Sequence, residues 1–214
     1  MAPSFGSLVF TPIVKSLQEK HGSRKLYARM ESAQRYEDRI GPDESAFIAE
    51  RDSFYIASIG AGGWPYVQFR GGPPGFLKVI DDRTIAFADF RGNKQYVSAG
   101  NLLTDDRVAL ILMDYPNQAR LKILGHAQIL EGTEAEGLLT RVRDPAYKAT
   151  IERVFQIRVD AFDWNCPQHI TPRFTEREIQ QELEPFERQL AELSEENSEL
   201  KRENARLRSE LARR

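Results

Sequence analysis

The last 39 residues, Glu176 to Arg214, hold one proline and no glycine and are charged throughout. Such a stretch can form a long helix and little else. Its apolar positions step by four and three: Ile179, Leu183, Phe186, Leu190 and Leu193, then Leu200, Leu207 and Leu211. Asn197 and Asn204 fill the two missing steps. Sustained over several heptads, this spacing is a coiled-coil seam. With Leu193, Leu200 and Leu207 at d, the asparagines fall at a, where an amide is best satisfied by its own symmetry mate in a parallel two-stranded coil. Glu196 then faces the second copy's Lys201, and Glu203 its Arg208. Glu182 meets Glu187 instead, so the first heptad is the weakest. A single solvated helix would leave leucines at every seventh residue nothing to bury against. The sequence predicts a parallel dimeric coiled coil over 175–214.

The rest of the chain is of another kind. At 214 residues and 41% hydrophobic side chains it can build one ordinary core besides the appendage. No apolar run approaches the roughly 18 residues that cross a bilayer, and the N-terminus lacks the order of a secretory signal. One cysteine, Cys166, cannot form an internal disulfide, which fits a reducing cytoplasm. A net charge of -2 advertises neither nucleic acid nor an anionic membrane. We expect a cytoplasmic protein that binds neither.

Pro42 to Arg51 reads as a helix with acidic residues in its first turn. Phe54–Ile59 and Trp64–Arg70 are aromatic and β-branched runs joined by Gly60-Ala61-Gly62-Gly63, a hairpin signal. Phe76–Ile80 and Thr84–Ala88 form a second hairpin. Asn93–Leu103 is helical in pattern, Val108–Met113 and Leu121–Leu130 are strands, Glu134–Val142 and Tyr147–Val154 are helices, and Gln156–Phe162 is a last strand. Six or seven short strands, mostly hairpin-linked, favour a closed antiparallel barrel with peripheral helices. Residues 1–41 form a helical or irregular extension, and 42–174 the barrel domain.

Familiar catalytic signatures are absent. The glycine cluster at 60–63 is followed by Trp64-Pro65 and a strand, where a dinucleotide loop requires a helix. Cys166-x-x-His169 is half a zinc site with no second half, so we expect no metal. Cys166, before Pro167 and without a resolving partner, reads as a small interior residue. The stretches Val67 to Lys78 and Phe87 to Tyr96 are more informative. They place Arg70, Lys78, Arg91 and Lys94 at strand ends or on neighbouring strands, with the Gly92-Asn93 turn just before a helix. Cations and a helix start converging on one spot make a phosphate site. Ordinary surface lysines and arginines at hairpin ends would look the same.

The order of these elements is specific. A Phe-Leu-Lys strand at 76–78, a Phe-Ala-Asp-Phe strand end at 87–90, Gly92-Asn93-Lys94, then Arg-Val-Ala-Leu-Ile-Leu at 107–112 and Arg-Leu-Lys-Ile-Leu-Gly-His-Ala at 120–127 resemble the pyridoxamine 5′-phosphate oxidase-like family of FMN-binding split barrels. The resemblance covers roughly residues 45 to 174. Arg-Gly-Gly-Pro-Pro-Gly-Phe at 70–76 and Trp-Asn-Cys-Pro-Gln-His at 164–169 are similar to a branch of flavin-nucleotide-binding proteins within it. The resemblance implies an α+β antiparallel split barrel that dimerises, with FMN in the grooves between subunits. Lys78 then matches the lysine beside the flavin, Lys94 the phosphate lysine, and Ala88, Asp89 and Phe90 the strand end along the ring and ribityl chain. The set expected at the cofactor is Gln68, Arg70, Lys78, Ala88, Asp89, Phe90, Gly92, Asn93, Lys94, Gln95, Trp164 and Gln168, with His169 and Arg120 toward substrate and no residue assigned to catalysis; the stretch 163–170 also reads with Trp164 in the core and His169 as a capped surface residue before the coiled coil.

This chain departs from the family pattern in three places. Pro73 stands where the family carries an arginine, so Arg70 would supply that charge. Gly92 replaces a serine near the phosphate. The family's Arg-x-His ending, which binds the vitamin B6 substrate, is missing. The implied function is therefore an FMN-dependent oxidoreductase on a small organic substrate, with NAD(P)H or oxygen as co-substrate and a homodimer through barrel and coiled coil. A non-catalytic flavin sensor or carrier whose coiled coil recruits a partner is the other reading.

Overall fold

Alternation of more and less buried side chains runs through most strands of the computed structural model, which describes residues 4–33, 38–164 and 167–213. The chain divides into two units, Met1–Ile170 and Thr171–Arg214. In the first, three helices, α1 (Phe5–Val9), α2 (Pro12–Lys20) and α3 (Arg24–Ala33), precede α4 (Pro42–Glu50). Then come β1 (Ser53–Ile59), β2 (Pro65–Gly71), β3 (Lys78–Asp81), β4 (Thr84–Phe90), α5 (Val97–Leu102), β5 (Arg107–Asp114), β6 (Ala119–Leu130), α6 (Glu136–Val142) and β7 (Ile151–Trp164). The strands form one seven-stranded sheet in the order β2-β1-β5-β6-β7-β4-β3, every pairing antiparallel. It is a split barrel: the edges β2 and β3 are not paired, yet Arg70 at the end of β2 reaches Asp89 on β4 at 2.7 Å.

Aromatic rings fill the interior. Phe54 and Phe76 stack at 5.5 Å, Phe54 meets Phe87 edge-on at 5.2 Å, and Phe87 stacks on Phe155 at 5.0 Å. The N-terminal segment is tied to this barrel through Asp38, whose carboxylate accepts from the backbone N–H of both Phe5 and Phe162.

Two elements differ from the sequence expectation. Tyr147–Val154 is not a helix: its second half opens the 14-residue strand β7. The period-2 signal is obscured because both faces of β7 are covered there. Phe155 and Ile157 enter the aromatic core, while Val154 joins Ala86, Ala88, Ala135 and Val142 in a second cluster under α6. A strand buried on both sides loses its polar alternation. The second difference is α5, which starts at Val97 rather than Asn93, because Lys94 and Tyr96 sit in the left-handed region at φ 60° and 54°. That conformation cannot belong to an α-helix.

The long strands β6 and β7 cross at a register shift between Leu124 and Gly125. A Cβ at Gly125 would lie 2.3 Å from the Arg158 carbonyl oxygen, so the backbones approach more closely than any side chain allows. Gly125→Ala should lower stability by about 3 kcal/mol, a fall in Tm of roughly 10 °C by thermal circular dichroism. Gly100→Ala, with open space around its Cβ on α5, should leave Tm unchanged or slightly raised.

Candidate functional site

β2 and β4 end side by side at the mouth of the aromatic core. Arg70 lays its guanidinium 5.2 Å from the Phe155 ring centroid and 5.9 Å from that of Phe87, an apolar seat that holds a cation by the negative faces of the rings. From there it donates to Asp89, which is 8% exposed. Arg153, opposite Asp89 in the β4–β7 register, places its Nε 3.4 Å from the same carboxylate and its guanidinium 4.9 Å from the Tyr96 ring. Two cations thus converge on one buried acid. Burial pushes the Asp89 carboxyl above its ordinary value, and the Arg70 and Arg153 charges pull against that rise. The Nε atoms of both arginines are buried without a hydrogen-bond partner among the described residues.

In front of this cluster lies a cleft of about 240 Å³. Of the residues expected at a cofactor, Gln68, Arg70, Ala88, Asp89 and Phe90 line it from the two strands. Gly92, Asn93, Lys94 and Gln95 line it from the loop that follows β4. That loop is shaped by local bonds: the Arg91 N–H donates to the Thr150 carbonyl, and Asn93 Oδ1 accepts from the Gln95 N–H. Arg91 is paired with Glu152 at 3.0 Å. Lys94 makes no ion pair among the described residues, and it is exposed at the rim. The helix start expected at Gly92-Asn93 lies four residues further on, so the rim carries the lysine and the loop backbone, not a helix terminus.

Five expected residues do not line the cleft. Lys78 pairs with Ala86, so it shares the face of β4 that packs under α6, opposite the face bearing Phe87 and Asp89. Trp164 packs edge-on against Phe47 at 4.8 Å and donates its indole N–H to Glu44 at 2.7 Å, which fixes it to α4. Gln168 and His169 form an exposed turn beyond β7, His169 at φ 66°, beside Ile170, whose carbonyl accepts from Gln118 at 2.6 Å. Arg120 lies on β6 opposite Met113. Asn165 and Cys166 lie outside the described residues, and with them the reading of Cys166 as a small interior residue.

The cleft also holds Tyr66, Tyr96, Ser98 and Glu152, none of which the sequence singled out. Tyr66 donates its hydroxyl to Gln68. Arg153 was missed because its segment reads as a helix. Two residues along antiparallel β4 and β7 from the Phe87–Phe155 pair, and so on the same face, lies the pair Asp89–Arg153. No group of three or more potential metal ligands occurs among the described residues, and no described helix is long and apolar enough to cross a membrane.

No curated protein matches the sequence. Among solved structures, an FMN-binding protein from Syntrophomonas wolfei is similar at 14% identity and a TM-score of 0.46, over 70% of this chain and 97% of its own. HupZ of Group A Streptococcus aligns at 17% identity and a TM-score of 0.44, over 63% and 99%. HutZ, the heme storage protein of Vibrio cholerae, aligns at 14% and 0.39, over 58% and 94%. The sequence profile described as pyridoxamine 5′-phosphate oxidase matches residues 41–164, which span every strand of the barrel and the whole cleft. By that match over more than half its length, the chain belongs to the pyridoxamine 5′-phosphate oxidase family.

Proposed function

We propose that the chain is an FMN-dependent oxidoreductase acting on a small organic substrate as a homodimer, with NAD(P)H or oxygen as the second substrate. The observation that carries this reading is the cleft itself: nine residues expected at a flavin from the sequence converge there, around Arg70 and an unpaired Lys94. The donor set suits FMN. A phosphomonoester carries close to two negative charges, and Lys94 with the loop N–H groups gives it a cation and neutral donors at the open rim. Arg70 and Arg153, each with an unpartnered Nε, add positive potential behind it. The bound flavin would supply two-electron chemistry; the protein positions it and sets the field around it.

A homodimer is favoured by the size and surroundings of the cleft. At about 240 Å³ it falls short of the roughly 300–1,000 Å³ of pockets that enclose a whole ligand of this class, so one chain offers part of a site. Exposed Trp64, Val67 and Phe69 on and beside β2 flank it, a patch suited to a second barrel. A single cysteine suits a cytoplasmic setting. A flavin sensor or carrier would use the same cleft and differ only in turnover.

The near-ultraviolet and visible spectrum of the purified protein, with mass identification of the ligand released by heat, tests the cofactor. FMN is expected; heme, a deazaflavin, or a colourless protein that takes up no added FMN would overturn the assignment. Steady-state oxidation of NADH or NADPH then separates enzyme from sensor.

Lys94→Ala should weaken FMN binding by about 1.5–3 kcal/mol, roughly 10- to 150-fold. Lys94→Gly, which also relieves the positive φ, should weaken it as much. Unchanged affinity in both would remove Lys94 from the phosphate site.

Asp89 carries a pH prediction. Because its carboxyl is raised in the folded chain, the folded state holds a proton that the unfolded state has released between the ordinary aspartate value and the raised one. Stability therefore falls as pH climbs through that window. Asp89→Asn, which stands in for the neutral acid, should flatten this slope in urea titrations across acid and neutral pH. It should also tighten FMN binding by roughly tenfold, since one like charge leaves the phosphate's surroundings. Weaker binding would mean that Asp89 itself accepts a hydrogen bond from the flavin.

A further inference from the structure

In the second unit, α7 (Glu176–Leu211) is a continuous 36-residue helix. A capping box fixes its start: Thr175 Oγ1 accepts from the Glu178 N–H, and Glu178 Oε2 accepts from the Thr175 N–H. Along it every apolar side chain of the heptad seam is exposed in the single chain, from 44% at Leu207 to 73% at Leu211. Helices of this length and charge do not leave such a stripe in water without a partner.

We infer that this stripe is a docking surface for α7 of a second copy of the chain, the two helices running parallel and in register. Three observations select that occupant. The a positions 197 and 204 are both asparagine. A parallel homodimer sets each amide against its own copy, whereas an antiparallel pair sets a against d and leaves each amide facing a leucine. Among the described residues Asn204 satisfies its Nδ2, on the Leu200 carbonyl at 2.9 Å, and its Oδ1 has no partner there. Charge selects the same arrangement. The g positions from 196 onward are Glu196, Glu203 and Glu210, and the last two e positions are Lys201 and Arg208. Parallel pairing sets g against e of the partner and joins opposite signs; antiparallel pairing sets g against g and joins like signs. The c-position Arg206 pairs with Glu203 at 3.0 Å and stays outside the seam.

The seam has a defined beginning. Pro185 lies inside α7 and offers no N–H to the carbonyl of Gln181, and Glu182 and Glu187 of opposite chains repel. The paired segment therefore runs from Phe186 to Leu211, and the turns before it splay. This pairing is independent of what the barrel binds.

The test uses the full chain with Cys166→Ser as background. Leu207→Cys and Leu200→Cys each place a thiol at d, and Arg202→Cys places one at f, on the outer face. Under mild oxidation at low protein concentration, both d-position variants should form a covalent dimer at least tenfold faster than the f-position variant. Far-ultraviolet circular dichroism serves as a check that each is folded. Equal rates at d and f, or no dimer from either folded d-position variant, would overturn the proposal. A disulfide that forms only when Leu207→Cys chains are mixed with Leu183→Cys chains would mean antiparallel pairing and overturn it as well.

Discussion

Two-sided burial of one strand organises the barrel. β7 pairs with β6 along one edge and β4 along the other, and near its start consecutive residues enter different interiors, Val154 under α6 and Phe155 in the aromatic core. A strand in that position tolerates little slip, because a one-residue shift would exchange the two environments. The fixed register sets Arg153 opposite Asp89 and Phe155 opposite Phe87. The charged cluster and the rings beneath it are therefore consequences of a single pairing.

That cluster sets two guanidiniums against one carboxylate behind a cleft on an apolar barrel. Arg70 is held by ring faces as much as by the Asp89 carboxylate, and buried ion pairs of this kind are seldom net stabilising. Their contribution here is placement: two guanidiniums sit behind an open rim, with the one carboxylate between them disfavoured by its own burial. Lys94, exposed and without an ion pair among the described residues, stands at the edge of the cleft. Field and access are separated, the field arising from buried groups and the access from a loop.

Much of this was legible in the residues. The hairpin signals at 60–63 and 81–83 mark real turns, and the runs Val108–Met113 and Leu121–Leu130 mark strands whose side chains alternate between buried and mostly half-buried. Of the four strand-end cations, Arg70 and Lys94 line the cleft, and Lys78 and Arg91 do not. Legibility failed where two environments overlap. The start of β7 carries apolar residues on both faces, so its period vanished, and Arg153 vanished with it. Lys78 lies off the cleft for a related reason: strand position can be read from sequence, but which face of the sheet a residue takes depends on a register set by partners far along the chain. The delayed start of α5 reflects backbone conformation at Lys94 and Tyr96 that no propensity scale anticipates.

The topology also bears on the chain as it is synthesised. β3 and β4 form a hairpin that joins the rest of the sheet only through β7, so a nascent chain that has not reached Ile151 holds Ile85 and Phe87 without their β7 neighbours Ile157 and Phe155. β1 likewise waits for β5 before its second edge is covered. Barrel closure is therefore a late event, gated by the emergence of the last strand. Until that strand arrives, the apolar faces of the early hairpins are the surfaces a ribosome-associated chaperone would meet.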